Sequence, residues 1–442
     1  MVASTKTVGV VGLGYVGQPF VVAMAGAGFD VIGLDVDVAL IEHLRATYAP
    51  TVHEPGLAEG LAEHRERIVF TTSYEEMMAA CDAVFVSVGT PLGQDGEPDV
   101  RSMDACIAGI APRLRPGQLI TLRSTVIPGT TRRAAADFAA GSGLRLGTEF
   151  FVAFSPERTV SGKALEELSR LPVIVGGIDD ASAERCAEVM GKLAGSVVLA
   201  PSTEVAEVAK LVDNMYRTLN IGFANELGRI AEEAGIDAYD VVSAVNTSYD
   251  RTSVFRPALG AEGPCLSKDP LILRYFAHKS GASTEILDAV VAVNARATGR
   301  VANEILGFLG RHAIEAPAVA LLGLAFKGTP ETDDVRGSPA VATIREVAAA
   351  LGDGAVAFRL HDSVVHELNG VPTEPSIEAA VEGAHVIAVM NDHRAFRGID
   401  ARVLAASAAR PLLIIDAWHS LDRLDELAAQ GVDIIRVGDG RA

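Results

Sequence analysis

Short apolar runs, each closing on a glycine, proline or small polar turn, recur through the first part of the chain. They read TVGVVGLG (7–14), FDVIGLD (29–35), CDAVFVSVGTP (81–91), QLITLRSTVIPGTT (118–131) and FFVAFSPER (150–158). Runs this short and this continuously apolar are the pattern of parallel strands buried on both faces, whose carboxyl ends open on a ligand cleft. VGQPFVVAMAGAG between the first two reads as an apolar helix. After PVIVGG the period changes. In APSTEVAEVAKLVDNMYRTLNIGFANELGRIAEEAGI (200–236) apolar residues return every three or four positions, Ser202 or Thr203 can cap the start, and Gly235 stops it. This predicts one long helix linking two domains, with more helix to about residue 312. From PAVALLGLAFKGTP (317–330) the strand-turn pattern resumes, with HVIAVMND and LLIIDAWH as further buried strands. The expected class is α/β, with two Rossmann-like domains joined by a long central helix and a helical dimerisation region. The blocks are residues 1–200, 201–315 and 316–442.

Composition narrows the partners. A chain of 442 residues exceeds one ordinary core, and its 49% hydrophobic content describes a globular protein. A net charge of −19 opposes nucleic acid or an anionic membrane as partner, because both need a basic surface. No apolar stretch approaches the roughly 18 to 20 residues of a membrane helix, and the start lacks the layout of a signal peptide, so the expected compartment is the cytoplasm. There disulfides are disfavoured, and Cys81, Cys106, Cys186 and Cys265 show no CxxC spacing, so no metal site is expected.

Gly12, Gly14 and Gly17 form G-x-G-x-x-G between a strand and a helix. In that context the first glycine permits the turn, the second lets backbone approach a pyrophosphate and the third packs helix on strand, while the helix N-terminus offers free N–H groups. Tyr15 and Val16 complete the turn. Asp35, ending the second strand, would accept from an adenosine ribose and repel a 2′-phosphate, which favours NAD over NADP. Thr90, Ser124, Thr125 and Glu157 fall at the same ligand side of the sheet.

Three further groups carry chemistry. Lys210 and Asn214 lie four apart on the long helix and share a face, suited to polarising a substrate oxygen, although a K-x-x-x-N pair also reads as solvated surface. Cys265, in the loop GAEGPCLSKDP, is followed by Lys268 and Asp269. Nearby cations favour a thiolate and the acid suits a water, while a lone cysteine also reads as a small buried hydrophobe. Lys327 and Arg336 in GLAFKGTPETDDVRGSPA suit phosphate or carboxylate binding, or a plain charged loop.

GLGYVGQP, STVIPGTT, SPERTVSGKAL, the Lys210/Asn214 helix, GPCLSKDP and GLAFKGTPETDDVRGSPA occur in the order found in the UDP-sugar 6-dehydrogenases, which the chain resembles over essentially its whole length. The resemblance implies oxidation of a sugar C6 alcohol to a carboxylate with two NAD molecules in succession. It makes Cys265 the nucleophile that forms a thiohemiacetal and then a thioester. Lys210 and Asn214 become stabilisers of the oxyanion, Asp269 the acid that positions water, Glu157 a general base, and Thr125 a residue beside the reacting centre. It places Lys327 on the nucleotide sugar, with Arg158 and Gly263 as further substrate contacts. Arg251, with Arg256 as competing candidate, would reach a partner subunit's substrate in a homodimer, or higher homo-oligomer, built on the central helix.

Two positions depart from the family pattern: Glu262 stands where one of two glycines before the cysteine is expected, and DAWHS stands where many members carry D-G-R. The SPERTVSGKAL version resembles enzymes of UDP-N-acetylhexosamines, first UDP-N-acetylmannosamine, then UDP-N-acetylglucosamine, with UDP-glucose third. A two-electron β-hydroxyacid dehydrogenase and a non-catalytic NAD-responsive binding protein are the rival readings.

Overall fold

A computed structural model describes residues 5–441. The chain divides into two compact units, residues 1–213 with 271–282 and residues 214–270 with 283–442.

The first unit is built on an eight-stranded sheet of β1 (Thr7–Val11), β2 (Asp30–Leu34), β3 (Ile68–Thr71), β4 (Ala83–Val86), β5 (Leu119–Leu122), β6 (Phe151–Phe154), β7 (Val173–Gly177) and β8 (Val197–Ala200), in the order 3-2-1-4-5-6-7-8. The first six strands are parallel in the doubly wound order, and the order reverses between β1 and β4, where a ligand crevice is expected. β7 runs antiparallel to β6, which the apolar pattern of PVIVGG does not reveal because it carries no direction. Alternate residues serve opposite faces: Val8, Val10 and Phe85 join one core, Val11, Val84 and Val86 the other.

The second unit carries five parallel strands, β9 (Ala318–Leu322), β10 (Ala357–His361), β13 (Val386–Val389), β15 (Leu413–Asp416) and β17 (Asp433–Arg436), in the order 10-9-13-15-17. β11 (Glu367–Leu368) with β12 (Val371–Pro372), and β14 (Ile399–Asp400) with β16 (Leu421–Asp422), form two-stranded ribbons. Counted within the unit this is a 2-1-3-4-5 doubly wound sheet. Val319 and Leu321 enter one core, Ala320 and Leu322 the other.

The central helix runs Thr203–Ala234. Ser202 Oγ accepts from Val205 N at 3.3 Å, and Gly235, at φ +69°, ends it. Helices continue to His312.

Candidate active site

In the first unit the glycine turn sits after β1. Gly12 has φ +91°, and a Cβ on it would lie 2.7 Å from the Ser87 carbonyl oxygen. A Cβ on Gly17 would lie 1.8 Å from the Gly12 carbonyl oxygen, so only glycine lets the helix Gly17–Gly26 start there. Gly14 faces open space. Tyr15 and Val16 lead into that helix, whose N-terminus has no side-chain cap and no acid in its first turn, leaving its N–H groups to a phosphate. Asp35 accepts from Leu13 N at 2.7 Å and Asp37 N at 3.0 Å, which fixes it beside the turn with lone pairs to spare. These residues fit a dinucleotide. Thr90 Oγ1 donates to the Thr125 carbonyl at 2.6 Å and Ser124 Oγ to the Val88 carbonyl at 2.7 Å, stitching together the loops after β4 and β5.

Glu157 follows β6. Its Oε2 lies 2.5 Å from Arg123 Nη2, and its Oε1 accepts from the Arg158 and Thr159 N–H groups, each at 2.7 Å. Burial raises the carboxyl's pKa, but the Arg123 guanidinium, the Thr159 hydrogen bonds and the Lys210 charge outweigh it and hold it below the usual carboxylate range. Lys210 is itself buried. Arg158 pairs with Asp213 at 2.6 Å.

Sequence reasoning passed over two residues here. Arg123 is almost wholly buried and its guanidinium stacks on Phe20 at 4.1 Å. Glu207, one turn before Lys210, accepts from Gly129 N, Thr131 N and the Thr131 hydroxyl at 2.6 to 2.8 Å, and so holds the STVIPGTT loop. A charged residue at the end of an apolar strand, and an acid on the apolar side of a helix, were the available signals.

In the second unit Cys265 lies in a four-residue helical turn, Gly263–Leu266, where the glycines around it had suggested a loop. It is exposed, whereas Cys81, Cys106 and Cys186 are buried, and burial pushes their thiols up to about 12, 12 and 11. Gly263 has φ +85°, and a Cβ there would lie 2.6 Å from the Phe326 ring. Its N–H donates to the Gly337 carbonyl at 3.2 Å. The GLAFKG and VRGSP loops therefore clamp the cysteine turn. Thr218 Oγ1 reaches the Leu266 carbonyl at 3.4 Å from the central helix.

Asn214 and Asp269 are fully buried and bonded to each other through Asn214 Nδ2. Arg217 donates to Asn214 Oδ1, which fixes the amide's orientation. Lys268 Nζ donates to the other Asp269 oxygen at 2.7 Å, and Asp269 starts a helix, where its charge meets the free N–H groups. The Lys327 ammonium lies 5.5 Å from the Phe326 ring centroid, and Arg336 pairs with Asp334 at 2.7 Å. Arg251 and Arg256 are exposed, and Arg256 lies over Tyr239 at 5.1 Å. In DAWHS, Asp416 accepts from the Trp418, Ser420 and Leu421 N–H groups, and His419 stacks on Tyr239 at 3.7 Å. Among the described residues no group of three or more His, Cys, Asp or Glu gathers as for a metal, and no helix is long and apolar enough to cross a membrane.

A doubly wound sheet with an open glycine turn at its switch point, a terminal acid on the second strand and a second doubly wound sheet define a dinucleotide-dependent dehydrogenase. The chain belongs to the UDP-glucose/GDP-mannose dehydrogenase family: the model of its NAD binding domain matches residues 6–194, that of its central domain 204–296 and that of its UDP binding domain 320–423. It is similar to a UDP-N-acetyl-D-mannosamine dehydrogenase of Pyrococcus horikoshii, 29% identical over 411 residues, covering 92% of this chain and 94% of the relative. The solved structure of UDP-D-ManNAc dehydrogenase from Pyrococcus horikoshii matches with a TM-score of 0.88 at 28% identity, over 99% of this chain and 100% of that one. The structure of a UDP-glucose dehydrogenase from Pyrobaculum islandicum matches with a TM-score of 0.83 at 30% identity, over 99% and 98%. The protein is thus an NAD-dependent nucleotide-sugar dehydrogenase with a UDP-sugar as substrate.

Proposed function

We propose that the chain oxidises the C6 hydroxyl of UDP-N-acetyl-D-mannosamine to a carboxylate through covalent intermediates on Cys265, with residues 1–200, 201–315 and 316–442 as its cofactor-binding, helical and nucleotide-sugar-binding segments. The carrying observation is that Cys265 is the exposed thiol, on a turn clamped by its neighbours, while the other three are buried. The balance is RCH2OH + 2 NAD⁺ + H2O → RCOO⁻ + 2 NADH + 3 H⁺.

NAD, held by Gly12, Gly14, Tyr15, Val16, Gly17, Asp35, Thr90, Ser124 and Thr125, supplies the hydride acceptor. The Cys265 sulfur adds to the C6 aldehyde and its proton passes to the carbonyl oxygen, giving a thiohemiacetal. Loss of a hydride and a proton leaves a thioester, and water then cleaves the C–S bond, returning the thiol. Lys210 and Asn214 stabilise negative charge on the C6 oxygen. Asn214 has a second Nδ2 hydrogen free for this after bonding Asp269, and that bond pre-orients the amide. Asp269 sets Lys268 and Asn214 and orders the attacking water. Glu157 has its oxygens occupied and its basicity lowered, which favours a role in shaping the loop with Arg158 over proton abstraction. Lys327, Gly263, Arg251 and Arg256 contact the nucleotide sugar.

The N-acetylmannosamine preference rests on the SPERTVSGKAL motif and the named relative, with UDP-N-acetylglucosamine and UDP-glucose behind it. Two NADH per sugar, measured at 340 nm across a panel of these sugars, is the expected stoichiometry; one per sugar would establish a two-electron dehydrogenase instead.

Homodimerisation belongs to the same reading. Along the central helix Val205, Val212 and Leu219, and again Tyr216, Phe223 and Ile230, recur at seven-residue intervals and are exposed. Such an apolar stripe favours a second helix against it. Replacing Tyr216 and Phe223 together by Asp should convert the sedimenting species from dimer to monomer; a native chain that sediments as a monomer would refute the assignment. Polysaccharide synthesis and the cytoplasm remain the setting in which this reading places the enzyme.

A further inference from the structure

Within the first unit the helix Thr130–Ser142 brings no cap of its own. It starts from Gly129, which has φ +96° and no side chain, and its first turn holds no acid. Glu207, 1% exposed on the central helix, takes the place of that cap. Its Oε2 accepts from Gly129 N at 2.6 Å, and its Oε1 accepts from Thr131 N at 2.8 Å and from the Thr131 hydroxyl at 2.6 Å. All three partners donate, and the positive end of the helix dipole faces the oxygens, an arrangement that suits a carboxylate. Burial raises the carboxyl's pKa, and the bonds from Thr131 and Gly129 oppose the rise.

The same carboxyl joins the cofactor loop to Lys210. The segment from Thr125 to Thr131 is stiff, because Pro128 fixes a backbone angle and the Ile127 carbonyl accepts from both Thr130 N at 3.0 Å and the Thr130 hydroxyl at 2.6 Å. Thr90 and Ser124 pin its start. On the central helix Lys210 lies three residues after Glu207 and shares its face, and the Lys210 charge helps to hold Glu157 low. Glu204, one turn before Glu207, pairs with Arg132 of the same capped helix at 2.6 Å, but Arg132 is 60% exposed and such a pair holds little. The buried tie between the two helices is the one that Glu207 makes.

We propose that Glu207 is a positioning residue for the first hydride transfer: by capping the helix Thr130–Ser142 from the central helix, it fixes the Thr125 loop, which holds the cofactor, against Lys210. This rests on Lys210 as the residue that stabilises negative charge on the C6 oxygen. The step is RCH2OH + NAD⁺ → RCHO + NADH + H⁺, in which the hydride leaves C6 for the cofactor while the C6 oxygen gives up its proton. Glu207 acts through its neighbours, not on the reacting atoms. Losing it lets the loop and Lys210 drift apart while each keeps its own ligand contacts, so the rate falls and affinity stays.

The test is stopped-flow absorbance of NADH in the full chain, with saturating NAD and the UDP-sugar it oxidises fastest. The rate constant of the first NADH-forming phase reads hydride transfer, and its amplitude reads the fraction of competent enzyme. Glu207→Ala should lower the rate constant about 10- to 100-fold, the cost of a small misplacement, with amplitude and NAD affinity within about twofold of wild type. Glu207→Gln keeps an acceptor for Thr131 but turns an NH2 group towards Gly129 N, and should fall between the two. Glu204→Gln, which cuts only the exposed tie, should match wild type. A lower amplitude at an unchanged rate constant, a loss confined to NAD affinity, or Glu204→Gln as slow as Glu207→Gln would each overturn the proposal. Lys210→Ala separates this from the functional reading. In that background Glu207→Ala should add little, and fully additive losses would show that Glu207 does not act through Lys210. A Lys210→Ala variant as fast as wild type would instead sink the role given to Lys210.

Discussion

Cys265→Ser is expected to slow carboxylate formation by about three orders of magnitude while leaving NAD affinity nearly unchanged. A serine hydroxyl is far less ionised than a thiol at neutral pH and is correspondingly the weaker nucleophile. The cofactor residues lie on the first unit and the cysteine turn on the second, so the exchange leaves the glycine turn and Asp35 as they are. Product measured by chromatography and NAD affinity by fluorescence titration separate the two effects. Near-normal carboxylate production would refute the nucleophile assignment, and a large loss of NAD affinity would make the defect structural.

Arg123→Ala is expected to cost about 3 to 5 kcal/mol of stability, the usual consequence of removing one partner from a buried ion pair. Its guanidinium meets both Glu157 at 2.5 Å and the Phe20 ring at 4.1 Å, so the variant strips the carboxylate of its paired cation and leaves a ring face bare. The acid limb of stability should change with it. Glu157 is held low in the fold, so its contribution is present above the ordinary glutamate pKa and is lost as pH falls through the lowered value. Denaturant midpoints as a function of pH should show a smaller loss in the variant than in wild type, because the Thr159 hydrogen bonds and the Lys210 charge remain. Adding Glu157→Gln should recover part of the stability by removing the orphaned charge; strictly additive losses would show that the pair is uncoupled.

The strands β1, β2, β4, β5, β6, β9, β13 and β15, the central helix from its Ser202 cap to Gly235 and the glycine turn were legible in the chain, because each follows from local periodicity and from backbone conformations that particular residues permit, whereas the short strands β3, β8, β10 and β17 carry too weak a pattern to stand out. The ordered motifs identified the family for the same reason, being contiguous. Long-range pairing was not legible. The reversal at β7, the Arg123–Glu157 pair across two strand ends, and Glu207 under the STVIPGTT loop join residues far apart in sequence, and no local pattern encodes such a choice of partner. Cys265 shows the division in a single residue. The chain leaves packing and chemistry both open for it, and only the fold buries the other three thiols and leaves this one exposed. Glu262 shows the converse: the chain marks it as a departure from the family pattern, and only the fold shows its carboxyl accepting from the Thr298 hydroxyl. Sequence determines which groups are available and which backbone shapes they allow, whereas tertiary structure decides which of them lose water and what faces them, and burial and neighbours set their charge and reactivity.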